Sequence, residues 1–292
     1  MISMPEKTAN PLVTDHELSE IRALIEQRSG ILFDSSRERF FSTRIREHME
    51  HKRLSFGAEL IRLIRSSNVE YDALLERLLT QETRFFRYPE TFSALERKVL
   101  PEMHMKKFWE NPRALRIWSA GCSTGEEPYS IAVSICDTLE FADAWNISIL
   151  ATDISKQALQ HAERGVYRKA VLENLSPRQV DNYFVKVGEQ FMVKPKIRNM
   201  VSFAPVNLAQ ATYMGRFDCI FCMNVMIYFS DERRAQLIQR FYEYLEPGGY
   251  LFLGHAESAA GLPIKFNQIV HGGARLLQKP LGFSTARAAG DE

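Results

Sequence analysis

The spacing of hydrophobic residues along the chain changes near residue 88. Before that point apolar positions recur every three or four residues, as in amphipathic helices. In the first such segment they are Leu18, Ile21, Leu24 and Ile25. Thr14 or Asp15 can cap this helix, and Gly30 ends it. Further helices are predicted over residues 35–51, 55–66 and 69–80, with one more over 90–108. The pattern predicts a small all-α N-terminal domain over residues 1–88.

From residue 115 onward, strand-like apolar runs alternate with helical ones. Strands are predicted over 116–120, 147–153, 201–207, 217–225 and 250–254. Helices are predicted over 126–139, 155–164 and 231–245, the last turning into its strand at residues 247–249. Such alternation is typical of an α/β fold with a Rossmann-like, doubly wound sheet, which binds ligands at the carboxyl ends of its strands. We expect this domain over residues 89–281, followed by a disordered tail over 282–292.

Residues 165–200 interrupt the alternation. A short helix beginning at Ser176 and Pro177 precedes two short strand-like runs, 183–187 and 190–196. Gly188 and Glu189 separate these runs and suit a tight turn. The segment therefore predicts a small hairpin-bearing insertion within the sheet domain.

The composition of the 292 residues narrows the function classes. The formal net charge is +1, so no global field favours a nucleic-acid partner. The four cysteines are too few for a disulfide scaffold, and Cys219 and Cys222 lie in an apolar strand where their sulfurs would point to opposite faces. We expect both to be buried. No run approaches 18 apolar residues and the first 11 residues are polar, so we expect a cytoplasmic protein without membrane insertion.

A glycine-containing loop follows the first predicted strand. Gly121 and Gly125 allow a sharp turn and close approach of a ligand, but loops of this kind also hold NAD, FAD or phosphate. Glu126 and Glu127 follow at the helix start, where a pyrophosphate would otherwise meet free N–H groups. Their charges would repel it and favour a cationic ligand such as S-adenosylmethionine. Without any ligand, the same two acids would still stabilise the helix dipole.

Three polar residues end later strands. Asp153 can accept hydrogen bonds from ribose hydroxyls, or it can instead cap the helix that follows. Asn207 and Asn224 carry amides that can pair with an adenine edge or an amino acid group, although either can be a turn residue. Because the carboxyl ends of parallel strands share one edge, we interpret the three as lining one nucleoside site.

Three segments together resemble the CheR family of chemotaxis receptor glutamate methyltransferases. They are TQETRFFR at 80–87, AGCSTGEEPYSIA at 120–132 and FCMNVMIYF at 221–229. The similarity extends from the helical domain to the Gly-His-Ala-Glu-Ser run at 254–258. The resemblance implies transfer of a methyl group from S-adenosylmethionine to glutamate carboxylates, giving methyl esters and S-adenosylhomocysteine.

The resemblance also implies roles for individual residues. The implied cofactor-binding set is Gln81, Thr83, Arg87, Glu127, Asp153, Asn207, Leu208, Asn224 and Val225. Glu127 is expected near the amino acid moiety and Asp153 at the ribose. Arg87 and Tyr228 are the implied catalytic residues, which orient the substrate carboxylate. The family often has Asn where this chain has Gln81, which keeps the amide and lengthens its reach.

The chemistry of ester formation fits the sequence. A glutamate side chain, with a reference pKa of about 4.3, is ionised at neutral pH and needs no general base to attack a methyl group. We therefore expect catalysis by alignment and desolvation, without a metal. The run Asn224-Val-Met-Ile-Tyr228 lacks the two prolines common in amine methyltransferases. Two alternatives stay open: a methyltransferase for another substrate, and a non-enzymatic S-adenosylmethionine sensor.

Two basic segments are candidate contacts for an acidic receptor. The first carries Arg37, Arg39, Arg44, Arg46, Lys52 and Arg53, which can also be a solvated helix face. The second is the insertion, which in some family members grips a receptor peptide by adding a strand. The short turn at Gly188 and Glu189 leads us to expect no such tether here.

The expected partners follow from the resemblance. They are the cytoplasmic methylation helices of chemotaxis receptors, with a regulatory adaptor protein as a second candidate. We expect a monomer with no nucleic-acid partner, recruited to receptor arrays at the inner membrane.

Overall fold

The computed structural model describes residues 11–110, 113–210 and 215–281, so the predicted tail over 282–292 lies outside the described residues. The chain divides into two compact units. One contains residues up to Gln81 together with Tyr228–Arg233, and the other contains Glu82–Ile227 and the chain from Arg234 onward. The domain boundary after residue 88 stays a prediction.

The first unit is helical, as predicted. Its helices are α1 (Asp15–Ser29), α2 (Glu38–Lys52), α3 (Gly57–Ser66) and α4 (Asn68–Leu78), with a 3-10 turn at Ser35–Arg37. Thr14 caps α1 in a reciprocal capping box with Glu17, and Gly30 closes the helix in the left-handed conformation. The apolar faces of these helices pack together through fully buried side chains, which include Ile21, Ile25, Phe41, Ile45, Leu60 and Leu74.

The second unit is built on a seven-stranded sheet in the order β6-β2-β1-β7-β8-β10-β9. Its strands are β1 (Ala114–Ala120), β2 (Asn146–Asp153), β6 (Val201–Pro205), β7 (Phe217–Cys222), β8 (Leu245–Leu253), β9 (Asn267–His271) and β10 (Ala274–Gln278). Neighbours from β6 to β8 are parallel, and β10 pairs antiparallel with β8 and β9. The doubly wound α/β prediction is confirmed.

Helices flank the sheet. They are α5 (Pro89–Ala94), α6 (Leu100–Lys106), α7 (Glu126–Thr138), α8 (Lys156–Arg164) and α11 (Asp231–Tyr244). A π-helical turn at Leu95–Val99 joins α5 to α6, and the N–H of Leu100 bonds to the carbonyl of Leu95. This turn ends two residues before Pro101, whose ring and missing N–H oppose a regular α-helix at that point. No helix in the described ranges is long and apolar enough to cross a membrane.

The predicted insertion forms a separate three-stranded antiparallel sheet in the order β3-β5-β4. Its strands are β3 (Val166–Arg168), β4 (Phe184–Val187) and β5 (Gln190–Val193), with the short helices α9 (Pro177–Tyr183) and α10 (Pro195–Arg198). The hairpin around Gly188 and Glu189 is present, with Val187 paired to Gln190. Strand β3 was not predicted.

One prediction about the last strands was wrong, and one hairpin was not predicted. Residues 247–249 do not end the helix but lie inside β8, where Phe217 pairs with Leu245 and Cys219 pairs with Tyr250. Between these pairs β7 advances two residues and β8 advances five. The glycines there, with Gly248 at φ 77°, allow this bulge. The hairpin of β9 and β10 was also missed, because Gly272 and Gly273 follow a run with weak alternation.

Candidate active site

The carboxyl ends of five neighbouring parallel strands, β6, β2, β1, β7 and β8, meet at one edge of the main sheet. β1 lies between β2 and β7, and the chain leaves β1 into the loop that begins at Gly121. The N–H groups of Gly121 and Cys122 donate to the Thr152 carbonyl at 2.7 and 2.9 Å, which ties the loop to the end of β2. Such an edge, where strand order reverses, is the usual ligand site of doubly wound sheets.

The loop glycines are required by close contacts. Gly121 has φ 87°, and a Cβ at that position would lie 2.3 Å from the Cγ2 atom of Val225. Gly125 has φ 96°, and its Cβ would lie 2.7 Å from that of Ala162 in α8. Any larger residue at Gly121 would therefore push the loop away from the segment that follows β7.

The two glutamates at the start of α7 differ in their surroundings. Glu126 is 4% exposed and accepts a hydrogen bond from the Thr124 hydroxyl at 2.7 Å. Glu127 is half-buried and accepts one from the Ser119 hydroxyl at 2.7 Å. Burial raises the pKa of Glu127 to about 7, with opposing effects from Ser119 and Arg87 and a further increase from Glu257. The predicted pair thus reduces to one acid, Glu127, as the candidate for a ligand.

Asp153 occupies the end of β2, as predicted. Its Oδ2 accepts the N–H of Ser123 at 2.8 Å, and its Oδ1 accepts the N–H of Ser155 at 2.8 Å. The carboxylate therefore joins the glycine loop to the start of α8, where Ser155, not Asp153, is the cap. A carboxylate can accept about four hydrogen bonds, which is the chemistry that a ribose diol requires.

Asn224 lies beyond β7 in the left-handed conformation, with φ 61°. Its Oδ1 accepts a hydrogen bond from the Tyr88 hydroxyl at 2.7 Å. The Tyr88 ring in turn packs on His255 at 4.4 Å, and His255 pairs with Glu90 at 2.5 Å. Tyr88 was not singled out in the sequence, since an aromatic residue before Pro89 gives no sign of a distant amide partner.

Glu257 is the second residue that the sequence analysis missed. Its two carboxylate oxygens accept the backbone N–H groups of Asn224, Val225, Met226 and Gly254 at 2.7 to 2.9 Å. The only signal was its place in the run at 254–258, within the span of the family resemblance.

The other predicted residues of the second unit have individual settings. Asn207 accepts the N–H of Ala209 at 2.9 Å, and Leu208 is 8% exposed. Thr83 is half-buried. Arg87 donates to the Glu82 carbonyl at 2.7 Å and is close enough to Glu127 to lower the pKa of that carboxyl. Arg87 therefore lies near Glu127 in the second unit.

Two predicted residues, Gln81 and Tyr228, belong to the helical unit. Gln81 is exposed. The Tyr228 carbonyl accepts the N–H of Leu32 at 2.8 Å, and the guanidinium of Arg37 lies 4.9 Å from the centre of the Tyr228 ring. Tyr228 is thus fixed from the backbone and from its ring face within that unit.

The charges of the sheet edge suit a cationic nucleoside better than a dinucleotide. Asp153 and Glu127 both contribute, after burial, to raising the pKa of Cys122 in the loop, so the two acids flank that loop. Among the described residues of this loop there is no Lys or Arg to neutralise a pyrophosphate. These residues fit S-adenosylmethionine, which carries a sulfonium and an ammonium group beside a ribose diol.

Comparison with known proteins gives the same class of protein. The family model described as CheR methyltransferase, SAM binding domain, matches residues 81–272. The model described as CheR methyltransferase, all-alpha domain, matches residues 16–79. Together the two models match most of the chain. The all-alpha model covers the helical segment, and the SAM-binding model covers the segment that contains the sheet.

Curated relatives match over most of their own length. The chemotaxis protein methyltransferase of Vibrio parahaemolyticus is 35% identical over 88% of this chain and 94% of that protein. Chemotaxis protein methyltransferase 1 of Pseudomonas aeruginosa is 35% identical over 87% and 94%. The chemotaxis protein methyltransferase of Escherichia coli is 36% identical over 91% of both chains. The chain therefore belongs to the CheR methyltransferase family.

Proposed function

We propose that this protein transfers the methyl group of S-adenosylmethionine to glutamate side chains of chemotaxis receptors. The products are glutamate methyl esters and S-adenosylhomocysteine, and the role is adaptation in chemotaxis. The observation that carries the proposal is the acidic sheet edge with Glu127 and Asp153, in a chain of the CheR family. We further propose that the protein acts in the cytoplasm at receptor arrays.

Different residues of the second unit are proposed to bind different parts of S-adenosylmethionine. Asp153 holds the ribose diol, and Glu127 binds the ammonium end of the cofactor. Asn207, Leu208, Asn224 and Val225 complete the pocket, with Thr83 and Arg87 from the segment before α5. Gln81 stays a predicted cofactor contact.

Alignment performs the chemistry. Bound S-adenosylmethionine supplies an electrophilic methyl group, and the substrate glutamate is already ionised. Arg87 binds a carboxylate through two donors, and we assign it to the carboxylate of the cofactor, since a strong grip on the substrate would reduce its nucleophilicity. Tyr228 stays the predicted donor that orients the substrate carboxylate. No residue has to accept a proton from it.

A row of arginines on α2 and at its C-cap is the proposed receptor contact. Arg44 pairs with Glu47 and Lys52 pairs with Glu70, which leaves Arg39, Arg46 and Arg53 exposed and without an ion pair in the described residues. Arg39 and Arg46 are seven residues apart on α2, so they lie on nearly the same helix face, and Arg53 follows as the left-handed cap that ends the helix. That spacing suits the acidic face of a long receptor helix.

The insertion is proposed to act without a peptide tether. Its outer strand β4 exposes Val185 and Val187, so an edge for strand addition exists, but the turn at Gly188 and Glu189 has only two residues. Calorimetry with a receptor C-terminal peptide tests this, and binding in the nanomolar to micromolar range would overturn it.

Labelled S-adenosylmethionine tests the proposed function against its alternatives. Purified protein, labelled cofactor and receptor fragments should give receptor label that mild base releases, as esters do. Base-stable label would place the methyl group on nitrogen. Cofactor binding without any transfer would favour the sensor.

A further inference from the structure

A single carboxylate, that of Glu257, collects four backbone donors after β7 and β8. Its Oε1 accepts the N–H groups of Val225 and Met226 at 2.9 and 2.7 Å. Its Oε2 accepts those of Asn224 and Gly254 at 2.9 and 2.7 Å. Three of these donors are consecutive, so the turn over 224–226 directs its amides at one point, as an anion-binding nest does.

The atoms around the Glu257 carboxylate are closely packed. A Cβ at Gly254 would lie 2.8 Å from the Oε2 atom of Glu257 and 2.9 Å from the nitrogen of Asn224. Asn224 itself is held in the left-handed conformation, which strains a non-glycine residue. The four bonds to a charged acceptor compensate for that strain.

We propose that Glu257 is the positioning residue that holds Asn224 and Val225 in the conformation required for cofactor binding. The assignment rests on the proposed function, because these two residues are predicted cofactor contacts. Glu257 acts through the turn: it fixes the backbone at 224–226, while Tyr88 orients the Asn224 amide by its hydrogen bond at 2.7 Å. The side chain of Val225 then packs over Gly121 of the glycine loop.

Glu257 also has an electrostatic effect that a purely structural residue would lack. Its negative charge adds to burial in raising the pKa of Glu127, whereas Ser119 and Arg87 lower it. Glu127 and Glu257 also both add to the burial effect that raises the pKa of the Cys222 thiol. Loss of the Glu257 charge should therefore let Glu127 ionise at lower pH.

The test compares Glu257→Gln with Glu140→Gln, an exposed acid in the turn after α7. Glutamine keeps the shape of Glu257 but turns an amide donor toward N–H groups. We expect the Kd for S-adenosylmethionine to rise by about tenfold to a hundredfold, and its pH midpoint to move to lower pH. The control should match the wild type in both. A Kd within twofold of wild type, or an unmoved midpoint, would overturn the proposal.

Glu257→Asp covers the case in which the glutamine variant does not fold. It keeps the charge but is one methylene short, so its melting temperature should stay near that of the wild type while its Kd for S-adenosylmethionine rises. An unchanged Kd would count against the proposal. Because the readout is cofactor binding, it decides the role of Glu257 even if wild-type protein methylates no receptor.

Discussion

The guanidinium of Arg37 lies 4.9 Å from the centre of the Tyr228 ring, although 190 residues separate them in the chain. The same guanidinium is near the rings of Phe33 and Phe40, at 5.5 and 5.6 Å, and donates to the Thr80 hydroxyl at 3.2 Å. The carbonyl of Tyr228 is held by the N–H of Leu32. Within the helical unit, Arg37 therefore fixes the ring of the predicted substrate-orienting residue.

Replacing Arg37 by leucine should slow methyl transfer without weakening cofactor binding. A cation over an aromatic ring contributes about 1 kcal/mol, so we expect kcat to fall by about fivefold. Arg62→Leu, at an exposed arginine of α3, is the control. Single-turnover rates with saturating cofactor measure the effect, and an unchanged rate would remove Arg37 from this role.

Asp153→Ala should weaken S-adenosylmethionine binding by about 1–3 kcal/mol. The variant loses the proposed ribose acceptor and also the bonds to the N–H groups of Ser123 and Ser155. Asp181→Ala removes an exposed carboxylate of the insertion and should bind normally. Calorimetry gives both constants, and an unchanged Kd would take Asp153 out of the site.

Cofactor affinity should rise with pH through the titration of Glu127. With a pKa of about 7, Glu127 is mostly protonated at pH 6, and a cationic ligand favours its ionised form. Binding of the cation therefore releases a proton from Glu127, so the Kd should be about tenfold higher at pH 6 than at pH 8. Glu127→Gln should bind weakly at both values. A wild-type Kd that is flat between pH 6 and 8 would contradict the assignment.

Charge reversal in the arginine row should act on the receptor alone. Arg46→Glu should raise the KM for receptor by about tenfold and reduce its dependence on salt, while the Kd for cofactor stays the same. Arg62→Glu on α3 is the matched control. Equal effects of the two variants would show that net charge, and not the row, governs the KM.

Much of the fold could be predicted from the spacing of hydrophobic residues and from the residues that begin and end each element. Thr14 and Gly30 marked both ends of α1, and strand–helix alternation with glycine after β1 fixed the sheet and its ligand edge. The start of β8 was predicted wrongly because Pro247 and the two glycines after it resemble a turn. In the structure these residues form a bulge in β8 where it pairs with β7. The bulge depends on pairing with a distant strand, which the local sequence does not reveal.

The candidate site was predicted only in part, for a similar reason. Asp153 and Glu127 stand at strand and helix ends, which the pattern of the chain reveals. Tyr88 and Glu257 act on Asn224 from 136 and 33 residues away, and no spacing rule connects them. Glu126 was grouped with Glu127, yet only the fold shows that its side chain is turned into the interior.

Locating the transferred methyl group tests the proposed methylation of receptor glutamates directly. Receptor fragments are incubated with the protein and S-adenosylmethionine, digested, and analysed by mass spectrometry before and after mild base. We expect methyl groups on glutamate side chains of the receptor's cytoplasmic helices, lost as methanol in base. Methyl groups on nitrogen, or none on receptor while the cofactor binds, would contradict it.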